Sequence, residues 1–306
     1  MRIVFMGTPE FAVASLKGLV EADFNIAGVI TAPDKPAGRG LKINESAVKI
    51  YALQQGLNIL QPEKLKDPEF LHSLKDLRAD IQVVVAFRML PEVVWNMPPL
   101  GTINLHGSLL PKYRGAAPIN WAVINGEKET GITTFRLQHE IDTGNILLQK
   151  KFDIGDDETA GDVHDRMKII GAELLVETLK KIADNNIQEQ PQPPAENILH
   201  APKIFTETCR IDWKQNVKTI YNLVRGLSPY PGAFTMLEGK TLKILKAEKI
   251  ISAVQEGPGT FLTDGRTFLK FAAGDGYLNV LDLQLEGKKK MQVQEFLRGF
   301  RSKKNN

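Results

Sequence analysis

Arg2-Ile-Val-Phe-Met-Gly-Thr-Pro-Glu-Phe11 opens the chain and decides its fold class. Arg2–Met6 is a short β-branched and apolar run, which reads as a buried strand. Thr8 is a good helix cap, Pro9 suits a first helical position, and Glu10 favours the positive end of a helix. Phe11, Leu16, Leu19 and Val20 then repeat at helical spacing. Asn25–Thr31 reads as a second strand. Strand, helix and strand in that order predict an α/β domain built on a doubly wound, mostly parallel sheet. The first turn lacks the G-x-G-x-x-G spacing of a dinucleotide site. Pro9 and Phe11 stand where glycines would let the backbone approach a pyrophosphate, which disfavours a nicotinamide-dependent oxidoreductase. The helix end could still take a carboxylate or a phosphate, and capping explains its residues equally well.

Working outward, helices are expected near Ser46–Gln55 and Asp67–Leu77. Ile81–Phe87 is a largely apolar run and reads as a central strand buried on both faces. Gly101–His106 is the next strand. Thr130–Gln138 and Asn145–Phe152 can pair as antiparallel strands around the turn Asp142-Thr143-Gly144. A long helix is expected over Thr159–Ala183. Composition then shifts: Gln190-Pro-Gln-Pro-Pro194 cannot make a regular element and reads as a linker. The organisation predicted is a first domain over 1–183, a linker over 184–205 and a second domain over 206–306. In the last, a helix over Val217–Leu227 precedes short strands at Ala233–Leu237, Thr241–Lys249, Gly259–Leu262, Thr267–Phe271 and Tyr277–Leu283. Five short strands in so few residues predict a small OB-like β-barrel.

With 306 residues, two domains are the natural expectation. Cys209 is the only cysteine, which rules out an intramolecular disulfide and a cysteine-based zinc site; no metal is expected. No apolar run reaches the roughly 18 residues of a membrane span, and Arg2–Met6 is too short for a signal sequence, so no membrane partner and a cytoplasmic location are expected. The net charge of +3 divides unevenly, −4 over residues 1–205 and +7 over 206–306. A basic second domain fits a polyanionic partner; surplus lysines also serve solubility.

The chemistry concentrates in Gly101-Thr-Ile-Asn-Leu-His-Gly-Ser-Leu-Leu-Pro-Lys-Tyr-Arg-Gly-Ala-Ala-Pro118. Asn104 and His106 lie two apart on a strand, so their side chains share a face. They fall at the carboxyl end of that strand, where open α/β sheets place their sites. Asp142 sits in a second loop. An amide, an imidazole and a carboxylate make a workable set for acyl-group transfer. The amide or a protonated imidazole donates to an oxyanion, and a histidine, titrating at about 6.5 when free, moves the proton. There is no G-x-S-x-G elbow and no other evident nucleophile, so direct transfer between two bound substrates is favoured. An Asn and a His near a strand end also serve purely structural ends, and spacing alone leaves both readings open. His139 reads as a loop residue.

His106-Gly-Ser-Leu-Leu-Pro111, Arg114-Gly115, Pro118 and Asp142-Thr-Gly144 resemble the formyltransferases that use 10-formyltetrahydrofolate. Further motifs resemble the branch of that family acting on initiator methionyl-tRNA: Gly7-Thr-Pro-Glu-Phe11, Pro33-Asp-Lys-Pro-Ala-Gly-Arg-Gly40, Ala201-Pro-Lys-Ile204, Ile211-Asp-Trp213, Pro229-Tyr-Pro-Gly-Ala233 and Gly287-Lys-Lys-Lys-Met291. The resemblance implies that Asn104, His106 and Asp142 are the catalytic trio. It implies that Ser108, Leu109, Leu110 and Pro111, with Phe87, contact the folate. It places Lys35, Arg39, Lys42 and Lys203 toward tRNA, and a monomer is expected. The segment 33–40 corresponds to the loop that enters the acceptor end. One departure stands out. The family usually reads Val-Val-Val-Ala-Tyr-Gly, two apolar residues and Pro; here the stretch is Val83-Val-Val-Ala-Phe-Arg-Met-Leu-Pro91, with Arg88 for the Gly. That segment borders the family's pterin pocket.

Overall fold

The computed structural model describes residues 1–37, 42–193 and 198–300. The chain divides into two compact units. The first comprises Met1–Gly115, Gly131–Phe152 and His164–His200; the second comprises Ala116–Thr130, Asp153–Val163 and Ala201–Asn306.

The first unit is built on a seven-stranded sheet in the order Ile146–Asp153, Glu129–Arg136, Thr102–His106, Ile81–Val85, Arg2–Gly7, Asn25–Ile30, Ile59–Leu60. The strands from Thr102–His106 to Ile59–Leu60 run parallel. Glu129–Arg136 turns antiparallel against Thr102–His106. The chain therefore winds outward in both directions from Arg2–Gly7, as the opening residues predict. Gly7 is needed at the end of that strand. A Cβ there would lie 2.6 Å from the Ala12 side chain, so only glycine lets strand and helix close up.

Local rules account for most element ends. Ser46 caps Ala47–Gln54 by accepting from Lys49 N at 3.0 Å, and Asp67 caps Pro68–Asp76 by accepting from Glu69 N at 2.9 Å. Thr8 does not cap the first helix. Pro9 is the flanking residue, with extended ψ and no side-chain cap, and the helix starts at Glu10. The central strand stops at Val85, short of the predicted Phe87, because Ala86 takes a left-handed φ of +47°. Ile81–Val85 is buried throughout, Gln82 included. Gln82 is tolerated because its Oε1 accepts from the Thr102 hydroxyl.

The second unit is a curled antiparallel sheet in the order Ala233–Leu237, Lys240–Ile251, Gly276–Leu285, Leu269–Ala272, Phe261–Thr263, with Met291–Gln292 also paired to Gly276–Leu285. Register shifts around Lys246 bend the long Lys240–Ile251 strand and give the sheet its curl. The inner face packs on Val217–Gly226 and on Trp213, whose ring stacks on Phe271 at 4.8 Å. The predicted OB-like barrel thus appears as this curled sheet.

Candidate active site

Asn104 and His106 share one face of the Thr102–His106 strand, with Ile103 and Leu105 turned to the other. His106 is buried, and Nε2 lies 2.9 Å from the Tyr113 carbonyl oxygen. A carbonyl can only accept, so Nε2 carries a proton and the lone pair of the neutral ring sits on Nδ1. Nδ1 faces Oδ2 of Asp142 at 3.9 Å. That is an ion-pair spacing, longer than a hydrogen bond. Phe135 meets the imidazole edge-on, with ring centroids 6.4 Å apart. Asn104 is half-buried, and among the described residues nothing hydrogen-bonds its side-chain amide.

Asp142 is set by its turn. It takes a left-handed φ of +55°, and Oδ2 accepts from Gly115 N at 2.9 Å. Gln192 Nε2 donates to the carbonyls of Asp142 and Gly144, both at 2.8 Å, while its Oε1 accepts from Arg114. A Cβ on Gly144 would fall 1.7 Å from the Arg136 carbonyl, so no side chain fits there. The Gln-Pro-Gln stretch read as a linker makes no regular element, yet Gln190 and Gln192 bind it to the site: Gln190 also exchanges backbone hydrogen bonds with Ile146.

The loop after His106 is organised by Thr133, which lies directly opposite His106 on the antiparallel strand. Its hydroxyl donates to Ser108 O at 2.7 Å and accepts from Leu110 N at 3.1 Å and Gln149 Nε2 at 2.8 Å. One donor and two lone pairs are all engaged. Gln149 also donates to Leu110 O, and the Ser108 hydroxyl donates to Lys112 O. The expectation that Ser108, Leu109, Leu110 and Pro111 all contact the folate therefore narrows. Ser108 and Leu110 are buried, Leu110 against Phe135 and Ile146, with these groups held inside the protein; Leu109 and Pro111 remain partly exposed. Thr133, Gln149, Gln192 and Tyr113 escaped the sequence reading. A threonine pair in the apolar Ile132-Thr-Thr-Phe135 run was the available signal, since a buried hydroxyl needs a partner.

Phe87 is half-buried beside Val84 and Leu90. Arg88 lies over its ring at 5.5 Å and donates to the carbonyls of Pro62 and Glu63. Its Nε is buried without a partner, and burial pushes the guanidinium below its ordinary value. A cavity of about 680 Å³ opens at this segment, lined by Leu65, Leu71, Arg88, Met89 and Leu90 among others.

Lys35 is exposed on a two-stranded hairpin, Lys35–Ala37 against Lys42–Asn44. Arg39 and the Lys42 side chain lie outside the described residues. The hairpin's base is tied down: Asp34 accepts from Lys49 and from Gln61 Nε2, and Gln61 also donates to Ala32 O at 2.8 Å. Lys203, in the second unit, is exposed and lies over the Phe205 ring at 5.7 Å. Among the described residues, no group of three or more His, Cys, Asp or Glu gathers to hold a metal.

Residues 1–179 match the formyl transferase family model, and residues 203–301 match the model of the formyl transferase C-terminal domain. The chain belongs to the formyl transferase family. Among formyl transferases of similar sequence, a methionyl-tRNA formyltransferase of Bacteroides fragilis is 56% identical, covering 98% of this chain and 95% of its own. One from Flavobacterium johnsoniae is 50% identical, covering 98% and 96%. Solved structures share the formyl transferase fold at lower identity. HypX from Aquifex aeolicus, in complex with tetrahydrofolic acid, has a TM-score of 0.66 at 19% identity, over 98% of this chain and 48% of that one. An N-formyltransferase from Helicobacter canadensis, in complex with folinic acid and dTDP-3-aminofucose, has a TM-score of 0.67 at 19% identity, over 94% and 99%.

Proposed function

We propose that this chain transfers the formyl group of 10-formyltetrahydrofolate to the α-amino group of methionine carried by initiator tRNA. The observation that carries the reading is an unengaged Asn104 amide on the same strand face as His106, whose free Nδ1 fronts the Asp142 carboxylate. The relatives named methionyl-tRNA formyltransferase, matched end to end at 50–56% identity, support the acceptor.

The amine nitrogen attacks the formyl carbon, and the carbonyl electrons move onto oxygen. Asn104 Nδ2 donates to that oxyanion, and the imidazolium adds a second favourable charge. His106 Nδ1 takes the proton the amine loses, and Asp142 offsets the positive ring. The bond from carbon to N10 then breaks as the proton passes to N10. The products are formylated aminoacyl-tRNA and tetrahydrofolate, with no net proton change. No covalent intermediate is needed: the Ser108 hydroxyl is held by Lys112 O, and Cys209 is buried in the second unit. Phe87, Leu109 and Pro111 supply apolar surface for the folate. Residues 1–183 act as the catalytic domain and 206–306 hold the RNA, with Lys35, Arg39, Lys42 and Lys203 facing the phosphate backbone. The same reading has the chain work as a monomer in the cytoplasm, where charged tRNA is found; no described helix is long and apolar enough to cross a membrane.

The test offers 10-formyltetrahydrofolate with either charged initiator tRNA or an amino-sugar nucleotide. Formylation of the charged tRNA, lost by orders of magnitude in Asn104→Ala, His106→Ala and Asp142→Ala while RNA binding persists, is the expected result. Preference for the sugar nucleotide, or near-normal turnover in all three variants, overturns it.

A further inference from the structure

Tyr230 is 80% exposed, more than any other large apolar side chain among the described residues. It belongs to the Pro229-Tyr-Pro-Gly-Ala233 motif, to which the proposed chemistry gives no task. We propose that Tyr230 is a stacking platform for a nucleobase of the RNA acceptor. The proposal rests on the acceptor being RNA, as argued above.

The turn does not need this ring for its own stability. Prolines on both sides fix φ at 229 and 231. Ser228 is buried, and its carbonyl accepts from Gly161 N at 3.0 Å. Gly232 N donates to Leu227 O at 2.8 Å, and Lys243 Nζ donates to Pro231 O at 2.8 Å. The backbone on each side of Tyr230 is therefore pinned, while the ring itself stands in solvent. An aromatic held this way loses little freedom when a flat partner arrives, so most of the stacking energy is kept as affinity.

The neighbouring charge names the partner. Lys243 meets a carbonyl at Pro231, and among the described residues no carboxylate lies within ion-pair distance of it. Its positive charge is uncancelled, in a segment of net +7. An exposed π-face, one residue from a carbonyl that holds a lysine without a carboxylate partner, suits a base together with its phosphate, the pairing that single-stranded nucleic-acid sites use. A second copy of the chain is the weaker occupant, because the same surplus of positive charge would repel it.

The test uses the full chain with Tyr230→Ala, Tyr230→Phe and Tyr230→Trp. Tyr230→Ala is expected to raise the KM for charged initiator tRNA by about 5- to 100-fold, with kcat and the KM for the formyl donor unchanged, while Tyr230→Phe stays within about twofold of the parent. Tyr230→Trp adds a fluorescence that deacylated tRNA quenches, a readout that needs no formyl transfer. An unchanged RNA KM in Tyr230→Ala overturns the proposal. So does a Tyr230→Phe variant as damaged as the alanine one, or a parent dimer that Tyr230→Ala dissociates. Charged tRNA that is formylated while Tyr230→Ala stays silent defeats this proposal alone. A chain that formylates only sugar nucleotides and binds no RNA defeats the reading beneath it.

Discussion

Oδ2 of Asp142 stands 3.9 Å from Nδ1 of His106 and, at the same time, 2.9 Å from the backbone N–H of Gly115. One carboxylate oxygen thus does two things: it is fixed in place by the main chain and it fronts the imidazole lone pair. Asp142→Asn separates the two. The amide oxygen can still accept from Gly115, but the negative charge is gone. Single-turnover formyl transfer should fall by about two or more orders of magnitude, with the melting temperature little changed. Equal losses of stability and rate would show that the residue merely holds the turn.

Thr133 makes a sharper claim about positioning. Thr133→Val keeps the shape and removes the hydroxyl, leaving Leu110 N and Ser108 O short of a partner in the interior, while Gln149 Nε2 keeps Leu110 O. The expected cost is about 2–4 kcal/mol of unfolding free energy, measured in urea, with a drop in kcat as the loop after His106 loosens. Thr133→Ser should recover most of both. A valine variant as stable as the parent would show that Leu110 N and Ser108 O have other partners.

Arg88 stands where the resemblance leads one to expect a glycine. It staples the Phe87–Leu90 segment to Pro62 and Glu63 with Nε left buried and unsatisfied. Arg88→Met removes both the staple and the unsatisfied nitrogen. Global stability should move by less than about 1 kcal/mol, because the two effects oppose. The KM for the formyl donor should rise severalfold and that for the RNA should hold. A change in the RNA KM alone would remove this segment from the folate site.

The hairpin anchor gives a pH signature. The hydrogen bond from Lys49, and then that from Gln61, hold the Asp34 carboxyl below the usual carboxylate range. A depressed folded value adds stability above the unfolded value of about 3.9, and that stability is lost as pH falls through the folded value. Asp34→Asn should therefore lower the urea midpoint at neutral pH. The gap to the parent should narrow as the pH drops from about 5 toward 3. A gap that stays constant over that range would show that the charge on Asp34 contributes nothing.

Much of this was legible in the residues. The opening strand and helix dictated the winding of the sheet, Ser46 and Asp67 marked helix starts, and the two-residue spacing of Asn104 and His106 placed both on one face. What stayed hidden was long-range. Nothing near Gln192 in the sequence announces that its amide bridges two carbonyls 48 and 50 residues away. Nothing near Thr133 says that its hydroxyl orders a loop 25 residues earlier. Side chains like these acquire their partners only when strands from distant parts of the chain are brought side by side. Ala86 shows the opposite limit: a left-handed alanine has no local signature, so the apolar run reads two residues longer than the strand.

The Tyr113 carbonyl leaves the imidazole a single working nitrogen. With Nε2–H committed to that oxygen, a ring flip would turn a C–H toward it and strand an acceptor inside the protein. A proton that His106 accepts must therefore enter and leave through the same atom, Nδ1. In the proposed transfer the ring is then a reservoir with one door, which the amine and N10 would visit in turn. On that proposal, the path of the proton is set by which side of one histidine faces the main chain.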